Sequence, residues 1–166
     1  MISILHAAVV ALLLAVSASP AHADCTDSAG PEVNWRRCYH DGRDLIGVNL
    51  EGAMLRDATF QRSNLSDANL SKVDGYRARF VSTDLPKARF EGARLIEADF
   101  TRANLTGASF LDADLRNAKM INAVLRDANL TGARVGGTDF RNADLSGVIW
   151  VDGKRRCAEN SIGQCN

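Results

Sequence analysis

The four cysteines are the side chains whose spacing could most readily support covalent or metal chemistry. They are Cys25 and Cys38 near one end of the chain and Cys157 and Cys165 near the other. Neither the C-x12-C nor the C-x7-C spacing matches a zinc finger, and C-x7-C lacks the C-x-x-C geometry that lowers the pKa of a thiol. In an exported protein such local pairs indicate two disulfides, Cys25–Cys38 and Cys157–Cys165.

Histidine, the side chain most used for acid–base catalysis, is nearly absent. Of the three histidines, His6 and His22 fall in the first 23 residues, which leaves His40 alone in the remainder. A catalytic triad or a multi-histidine metal site is therefore hard to build. We predict that His40 is a residue of the N-terminal cap, that the protein is not an enzyme, and that it needs no metal ion or cofactor.

The remaining polar residues are positioned by a five-residue repeat, Ala-(Asp/Asn)-Leu-x-x, which runs from Asp44 to Leu145 without insertion or deletion. The central residue of each repeat falls on a position divisible by five. The centres are Leu or Phe except at Gly75, Met120 and Val135, and the residue two before a centre is usually Ala. A period of five fits neither an α-helix nor a straight strand, so the chain must turn a corner in every repeat.

Three extended residues per repeat would point the Ala and the centre inward and the residue between them outward. The other two residues form the corner, where Gly often occupies the second position because it adopts unusual φ angles readily. Centres sorted every 20 residues separate into an all-Leu column from Leu45 to Leu145 and a column of Phe60, Phe80, Phe100, Met120 and Phe140. The sequence thus predicts an all-β solenoid with four faces per 20-residue coil.

This pattern resembles the pentapeptide-repeat family over about two thirds of the chain. The resemblance implies a right-handed quadrilateral β-helix, usually without catalytic activity. Gly75 departs from the motif, and we expect a local bulge at residues 73–76, with Tyr76 leaning over the gap that the missing side chain leaves.

The ends of the chain differ from the repeats. Residues 1–23 carry no Lys, Arg, Asp or Glu, and their short apolar run is followed by Ala21-His22-Ala23, an A-x-A cleavage pattern. We predict a signal peptide removed before Asp24, a periplasmic or secreted protein, and no integral membrane segment. The mature chain would comprise an N-terminal cap at 24–42, the β-helix at 43–150 and a C-terminal cap or tail at 151–166. Trp35 and Trp150, both in frame with the centres, are expected to cover the two ends.

Surface charge gives a candidate binding site. The chain is neutral, with 20 basic and 20 acidic residues, but the two faces centred on residues 55 and 60 carry an excess of basic side chains, which we call the basic side. Opposite charges also recur every 20 residues, which predicts cross-strand ion pairs within Asp74, Arg94, Asp114 and Arg134, and within Arg79, Asp99, Lys119 and Asp139. The candidate binding surface consists of outward arginines on the basic side: Arg56, Arg62, Arg77, Arg102, Arg116 and Arg141.

These observations favour a non-catalytic exported module that binds a protein or a polyanion of the envelope. The alternative is a thiol–disulfide or other enzyme of the envelope, which would need a reactive cysteine. Several pentapeptide-repeat proteins imitate DNA and bind gyrase, but that imitation calls for a strongly acidic cytoplasmic rod. Because this chain is neutral and predicted to be exported, a gyrase-binding DNA mimic is the third and least favoured interpretation, and we expect no nucleic acid as a partner.

Overall fold

The computed structural model describes residues 24–166, and the predicted signal peptide at 1–23 lies outside the described residues. A single bridge residue precedes each centre, at every fifth position from Asn34 to Ile149. Each bridge joins residues 20 apart in parallel, from Asn34–Met54 to Asn129–Ile149. The chain therefore forms the predicted right-handed quadrilateral β-helix, whose regular bridging begins at Asn34, inside the segment assigned to the N-terminal cap. Within 24–166, no helix is long and apolar enough to cross a bilayer.

The four faces are numbered by their centres. The first face contains centres 45 to 145 at intervals of 20, the second 50 to 150, the third 35 to 135 and the fourth 40 to 140. Both inward positions are buried along the body of the rod, where Leu85, Leu105 and Leu125 of the all-Leu column and the alanines beside them are at most 1% exposed. The core is one continuous apolar column with four walls.

Aromatic side chains order the middle of this core. On the fourth face the ring of Phe80 stacks between Phe60 and Phe100, at centroid distances of 5.3 and 4.9 Å. A second stack, Phe90 on Phe110 at 4.9 Å, lies on the second face and meets the first stack edge to face. Such offset and edge contacts are the favoured geometries for aromatic pairs and add to the free energy of apolar burial.

The corners explain the polar part of the motif. The residue two after each centre adopts a positive φ from Glu32 to Gly147, whether or not it is Gly, as at Arg62 with φ 56°. Its N–H donates to the next coil, as from Arg62 to Val81 O at 3.1 Å, which offsets the cost of a left-handed conformation. The outward Asp or Asn supports the same corner: Asn104 Oδ1 accepts from Thr106 N and Oγ1 at 3.2 and 2.8 Å.

The bulge expected at Gly75 is wrong. Asp74 bridges regularly to both Met54 and Arg94, so the ladder passes Gly75 without interruption. The gap is filled from the next coil, because Leu95 Cδ2 lies 2.9 Å from the point that a Cβ on Gly75 would occupy. A single large residue one coil away thus substitutes for the missing side chain.

Disulfides join Cys25 to Cys38 and Cys157 to Cys165, with Cα atoms 5.3 and 4.9 Å apart. The first ties the segment before Asn34 to the rod. The second closes a loop in the tail, which returns over the last coil in two antiparallel bridges, Asp144–Ile162 and Ile149–Arg156. Disulfides of this kind are typical of oxidising compartments.

Candidate binding surface

The six candidate arginines all lie at corners of the basic side, in two columns. The first column is the corner between the third and fourth faces, the second is the corner after the fourth face, and the outward strands of the fourth face separate them. Within a column, successive coils lie about 4.8 Å apart. The first column contains Arg56, Arg77 and Arg116, and the second contains Arg62, Arg102 and Arg141.

Carboxylates neutralise four of the six. Hydrogen bonds from the arginines hold the pKa of Glu97, Asp114 and Asp139 below the usual values, so these carboxyl groups are ionised at neutral pH. A paired guanidinium offers less net charge to a partner than the sequence suggests. The pairs are Arg56–Asp74 at 3.4 Å, Arg77–Glu97 at 2.8 Å, Arg116–Asp114 at 2.7 Å and Arg141–Asp139 at 2.7 Å.

Arg62 and Arg102 differ from the other four. In the described part of the chain neither forms an ion pair, and Arg102 donates only to the hydroxyl of Ser82, at 3.2 Å. Both belong to the corner after the fourth face and are exposed to solvent. Their charge remains available to a partner.

The cross-strand ion pairs form on one face only. On the third face Arg94 meets Asp74 at 3.1 Å and Arg134 meets Asp114 at 3.5 Å, as predicted. On the fourth face the prediction is wrong, since within residues 24–166 no ion pair joins Arg79, Asp99 and Lys119. There Asp99 Oδ1 accepts from Thr101 N at 3.0 Å, because the carboxylate supports its own corner.

The structure adds a cluster that sequence reasoning missed. Three guanidinium groups surround the ring of Tyr76, with Arg77 at 4.9 Å, Arg56 at 5.2 Å and Arg94 at 5.6 Å from its centroid. The Tyr76 hydroxyl donates to Glu97 Oε1 at 3.4 Å. Cation–π contacts of this kind hold several positive charges close together on one surface.

One coil towards the N-terminus, Arg36 and Arg37 extend this cluster. Together with Arg56, Asp57 and Tyr76 they line a concavity of about 430 Å³. Arg36 Nη2 lies 3.0 Å from Met54 Sδ, and no carboxylate of the described chain pairs with Arg36 or Arg37. We call Arg36, Arg37, Arg56 and Tyr76 the N-terminal arginine cluster. The 20-residue period aligns positions 36, 56 and 76, but the prediction treated residues before 43 as a cap.

His40 is placed where it cannot reach a substrate. It is 1% exposed, its ring stacks 3.9 Å from Trp35 and 5.3 Å from Phe60, and neither ring nitrogen has a hydrogen-bond partner. Burial, with a smaller contribution from the charge of Arg43, lowers the pKa of His40 to about 4. The histidine is neutral at physiological pH and extends the aromatic stack of the fourth face by one residue.

Two solved structures share this architecture. HetL, a pentapeptide-repeat protein involved in heterocyst differentiation regulation in the cyanobacterium Nostoc sp. strain PCC 7120, is 31% identical over 76% of this chain, with a TM-score of 0.73. This chain spans 62% of HetL. The pentapeptide-repeat protein Rfr23 of the cyanobacterium Cyanothece 51142 is 24% identical over 70% of this chain and 90% of its own, with a TM-score of 0.57, and supports the fold alone. No curated protein matches the sequence.

The repeats themselves match a family model. The model for pentapeptide repeats aligns in 8 copies with residues 42–74, 76–110 and 108–147. These ranges contain the bridged coils, the buried Leu and Phe centres and the corners described above, and they cover more than half of the chain. The protein therefore belongs to the pentapeptide-repeat family.

Proposed function

We propose that the protein is an exported, non-catalytic binding module whose N-terminal arginine cluster holds an anionic partner, either a protein or a polyanion of the envelope. The observation that carries the proposal is the pair Arg36–Arg37. These two consecutive residues line a concavity of about 430 Å³, and no carboxylate within residues 24–166, including Asp57 of the same lining, forms an ion pair with either guanidinium group. Guanidinium forks bind carboxylate, sulfate and phosphate groups in a bidentate manner.

Rigidity supports a binding role. The cluster lies on corners whose N–H groups bond to the next coil, as from Arg37 to Arg56 O at 2.9 Å and from Asp57 to Tyr76 O at 3.0 Å. Its arginines therefore lose little backbone freedom when a partner binds. Arg62 and Arg102 extend the available charge along the neighbouring corner, which gives a long anionic chain several further points of contact.

The chemistry of the remaining groups supports a non-catalytic module over an enzyme. His40 is buried and neutral, and the four cysteines are paired in disulfides. Among residues 24–166, no three His, Cys, Asp or Glu side chains converge in a way that could hold a metal ion. The two disulfides and the uncharged segment that precedes Asp24 support export.

Retention on a heparin column at low salt tests the binding site, with protein that begins at Asp24. We expect the variant that combines Arg36→Ser, Arg37→Ser and Arg56→Ser to elute at clearly lower salt than the parent. The matched control removes three positive charges from the opposite side, by Lys72→Ser, Lys87→Ser and Arg126→Ser, and should elute with the parent. Binding through several oxyanions weakens steeply as salt rises, so the salt at elution reports the number of contacts.

Two results would contradict this proposal. Equal loss of retention in both triple variants would show that only total charge matters, and no retention of the parent at low salt would leave the cluster without an anionic partner. Export is tested separately by mass spectrometry of protein recovered from the host envelope. A retained Met1 would be inconsistent with cleavage before Asp24.

A further inference from the structure

In the described chain, the C-terminal tail forms β-bridges with only two of the four faces of the last coil. Its antiparallel bridges place Ile162 beside Asp144 on the first face and Arg156 beside Ile149 on the second. The last N–H groups of these faces are therefore bonded, since Leu145 N donates to Ser161 O and Gly147 N donates to Cys157 O, at 2.8 and 3.0 Å. On these two faces the tail acts as one further coil.

The third and fourth faces end differently. Along the body of the rod, each centre and the residue two after it donate an N–H to a carbonyl 19 residues later, as Leu105 does to Val124 and Gly107 to Arg126. The last coil has no such partners on these faces, in the portion of the chain that the structure describes. The unbonded N–H groups belong to Val135, Gly137, Phe140 and Asn142, and the unbonded carbonyls to Ala133 and Thr138.

Apolar surface lies directly beside this open edge. Val135 and Phe140, the final centres of the third and fourth faces, are partly exposed, whereas the preceding centres Leu115 and Met120 are fully buried. Phe140 and the partly exposed Trp150 stand with ring centroids 5.9 Å apart and line a hollow of about 360 Å³, whose other wall is formed by tail residues 163–165. Two further inward side chains, added as part of a next coil, would bury these rings in the way that the aromatic rings in the body of the rod are buried.

Positive charge surrounds the same edge. Arg155 lines the hollow and reaches its carboxylate, Asp152, only at 3.9 Å, and the side chain of Lys154 has no ion pair within residues 24–166. Arg134, on the open strand of the third face, is 66% exposed with its partner at 3.5 Å. A segment that adds to this edge would therefore be stabilised by acidic residues at its outward positions.

We propose that residues 133–142 form a β-augmentation site, which takes an extended acidic segment of a partner protein as the missing third and fourth sides of the next coil. The segment would run parallel to residues 133–140, accept hydrogen bonds from the four free N–H groups, and seat two apolar side chains on Val135 and Phe140. Unpaired parallel edges bind extended peptides through this geometry, in which backbone bonds give affinity and alternate side chains give specificity.

A second copy of this chain fits the edge less well. Two C-terminal ends in contact would bring Lys154 and Arg155 of both copies to one interface, where like charges oppose association. An N-terminal end would present a full four-sided coil, which would collide with the tail that already covers the first and second faces. It would also carry Arg36 and Arg37 towards a surface that is already basic.

A synthetic peptide that completes the coil tests this inference. The probe is Ac-ADLEGADFEG-NH2 with a fluorescent label, which places Leu and Phe inward and its acidic residues outward, titrated with protein that begins at Asp24 and followed by fluorescence anisotropy. We expect saturable binding. A probe with Ser at its four inward positions should bind at least tenfold more weakly, because the apolar side chains at the edge would then remain exposed to water.

Variants assign the peptide to the edge. Val135→Pro removes an N–H that has no partner in the folded protein, so the fold should survive, while affinity for the probe should fall about fivefold through one lost hydrogen bond. Circular dichroism of the variant confirms folding. The Lys72→Ser, Lys87→Ser combination removes two positive charges far from this edge and outside the N-terminal arginine cluster, and this variant should bind the probe as the parent does.

Three outcomes would overturn the inference. These are no saturable binding of the probe, binding that the distant lysine substitutions abolish, or equal affinity of Val135→Pro and the parent. Light scattering provides the remaining check: a dimer of the parent that Val135→Pro converts to monomer would assign the edge to self-association instead of a partner segment.

Discussion

The two ends of the rod carry similar residues but differ in how well they are covered. At the N-terminal end Trp35 is 2% exposed, its Nε1 donates to Asp27 O at 3.3 Å, and His40 is buried against it. At the C-terminal end Trp150, equally in frame with the centres, is only partly buried, and so is Phe140. Each end has one tryptophan and one short disulfide loop.

The difference comes from where the terminal segments pass. Residues before Asn34 are tied by Cys25–Cys38 to the fourth face, directly beside Trp35 and His40. The C-terminal tail instead bridges to the first and second faces and, within the described residues, leaves the backbone edge of the third and fourth unpaired. An inward tryptophan therefore buries its area only where another segment lies above it, and the repeat pattern alone does not supply that segment.

The largest expected effect compares the two tryptophans. Trp35→Ala should lower the free energy of unfolding by about 3–5 kcal/mol, because it leaves a cavity among fully buried rings. Trp150→Ala should cost clearly less, about 1–2 kcal/mol, since its ring is partly solvated in the folded protein. Urea unfolding of both variants and the parent measures the difference.

The matched controls are Trp35→Phe and Trp150→Phe, which keep an aromatic ring at each end and should each cost less than the corresponding alanine. If Trp150→Ala were as damaging as Trp35→Ala, the C-terminal end would be covered as completely as the N-terminal end. In that event the open edge of the third and fourth faces would not exist in solution.

The repeat made most of the fold predictable. A strict period of five with columns every 20 residues fixes the inward positions, the corners and the number of faces, because each repeat can only pack against its own copies. His40 was interpreted as a residue of the N-terminal cap, whereas it follows the regular bridge of Tyr39 and is the first ring of the Phe60 stack. Position 40 lies in the column of Phe centres that recurs every 20 residues, and this alignment could have indicated that the His40 ring joins the stack.

The candidate site was less predictable, for two physical reasons. Side-chain length and rotamer decide which carboxylate an arginine meets, so Arg116 and Arg141 pair within their own repeats and not across coils. The outward Asp and Asn residues were read as a charge pattern, whereas Asn104 and Asp99 accept hydrogen bonds at the corner. Neither the ion-pair partner of an arginine nor the role of an outward Asp or Asn follows from the spacing alone.

Acid should destabilise the N-terminal end of the rod through His40. Its pKa is about 4 in the folded protein, below the value near 6.5 of an exposed histidine, so the unfolded chain binds the proton first. The stability that neutral His40 provides is therefore present above pH 6.5 and is lost as the pH falls from about 6.5 to about 4, by at most about 3 kcal/mol. Unfolding free energies across this range measure the loss.

Comparison with His40→Phe isolates the effect, since Phe fits the column of Phe60 and Phe80 and does not titrate. Protonation of carboxylates such as Asp114 and Asp139, whose pKa values are lowered in the folded protein, also reduces the stability of the fold in acid. This loss is the same in the parent and in the variant. The difference between parent and variant should grow as the pH falls towards 4. A constant difference would mean that His40 is solvated or hydrogen-bonded in solution.

The smallest expected effect is the difference in stabilisation between the two disulfides. They close short loops, with 13 and 8 residues of separation, so chain-entropy arguments give each about 2–3 kcal/mol, and the larger N-terminal loop slightly more. We expect the Cys25→Ser, Cys38→Ser variant to be the less stable of the two paired variants, because its cap also buries Trp35.

In the Cys157→Ser, Cys165→Ser variant, the amides of Leu145 and Gly147 should exchange with deuterium faster than in the parent, since their acceptors lie in the loosened tail. The amide of Trp35, which donates to Met54 O at 2.9 Å, should keep its protection there. Unchanged exchange at Leu145 would mean that the antiparallel bridges of Ile162 and Arg156 hold the tail without the disulfide, and that the two ends differ in coverage but not in their dependence on covalent bonds.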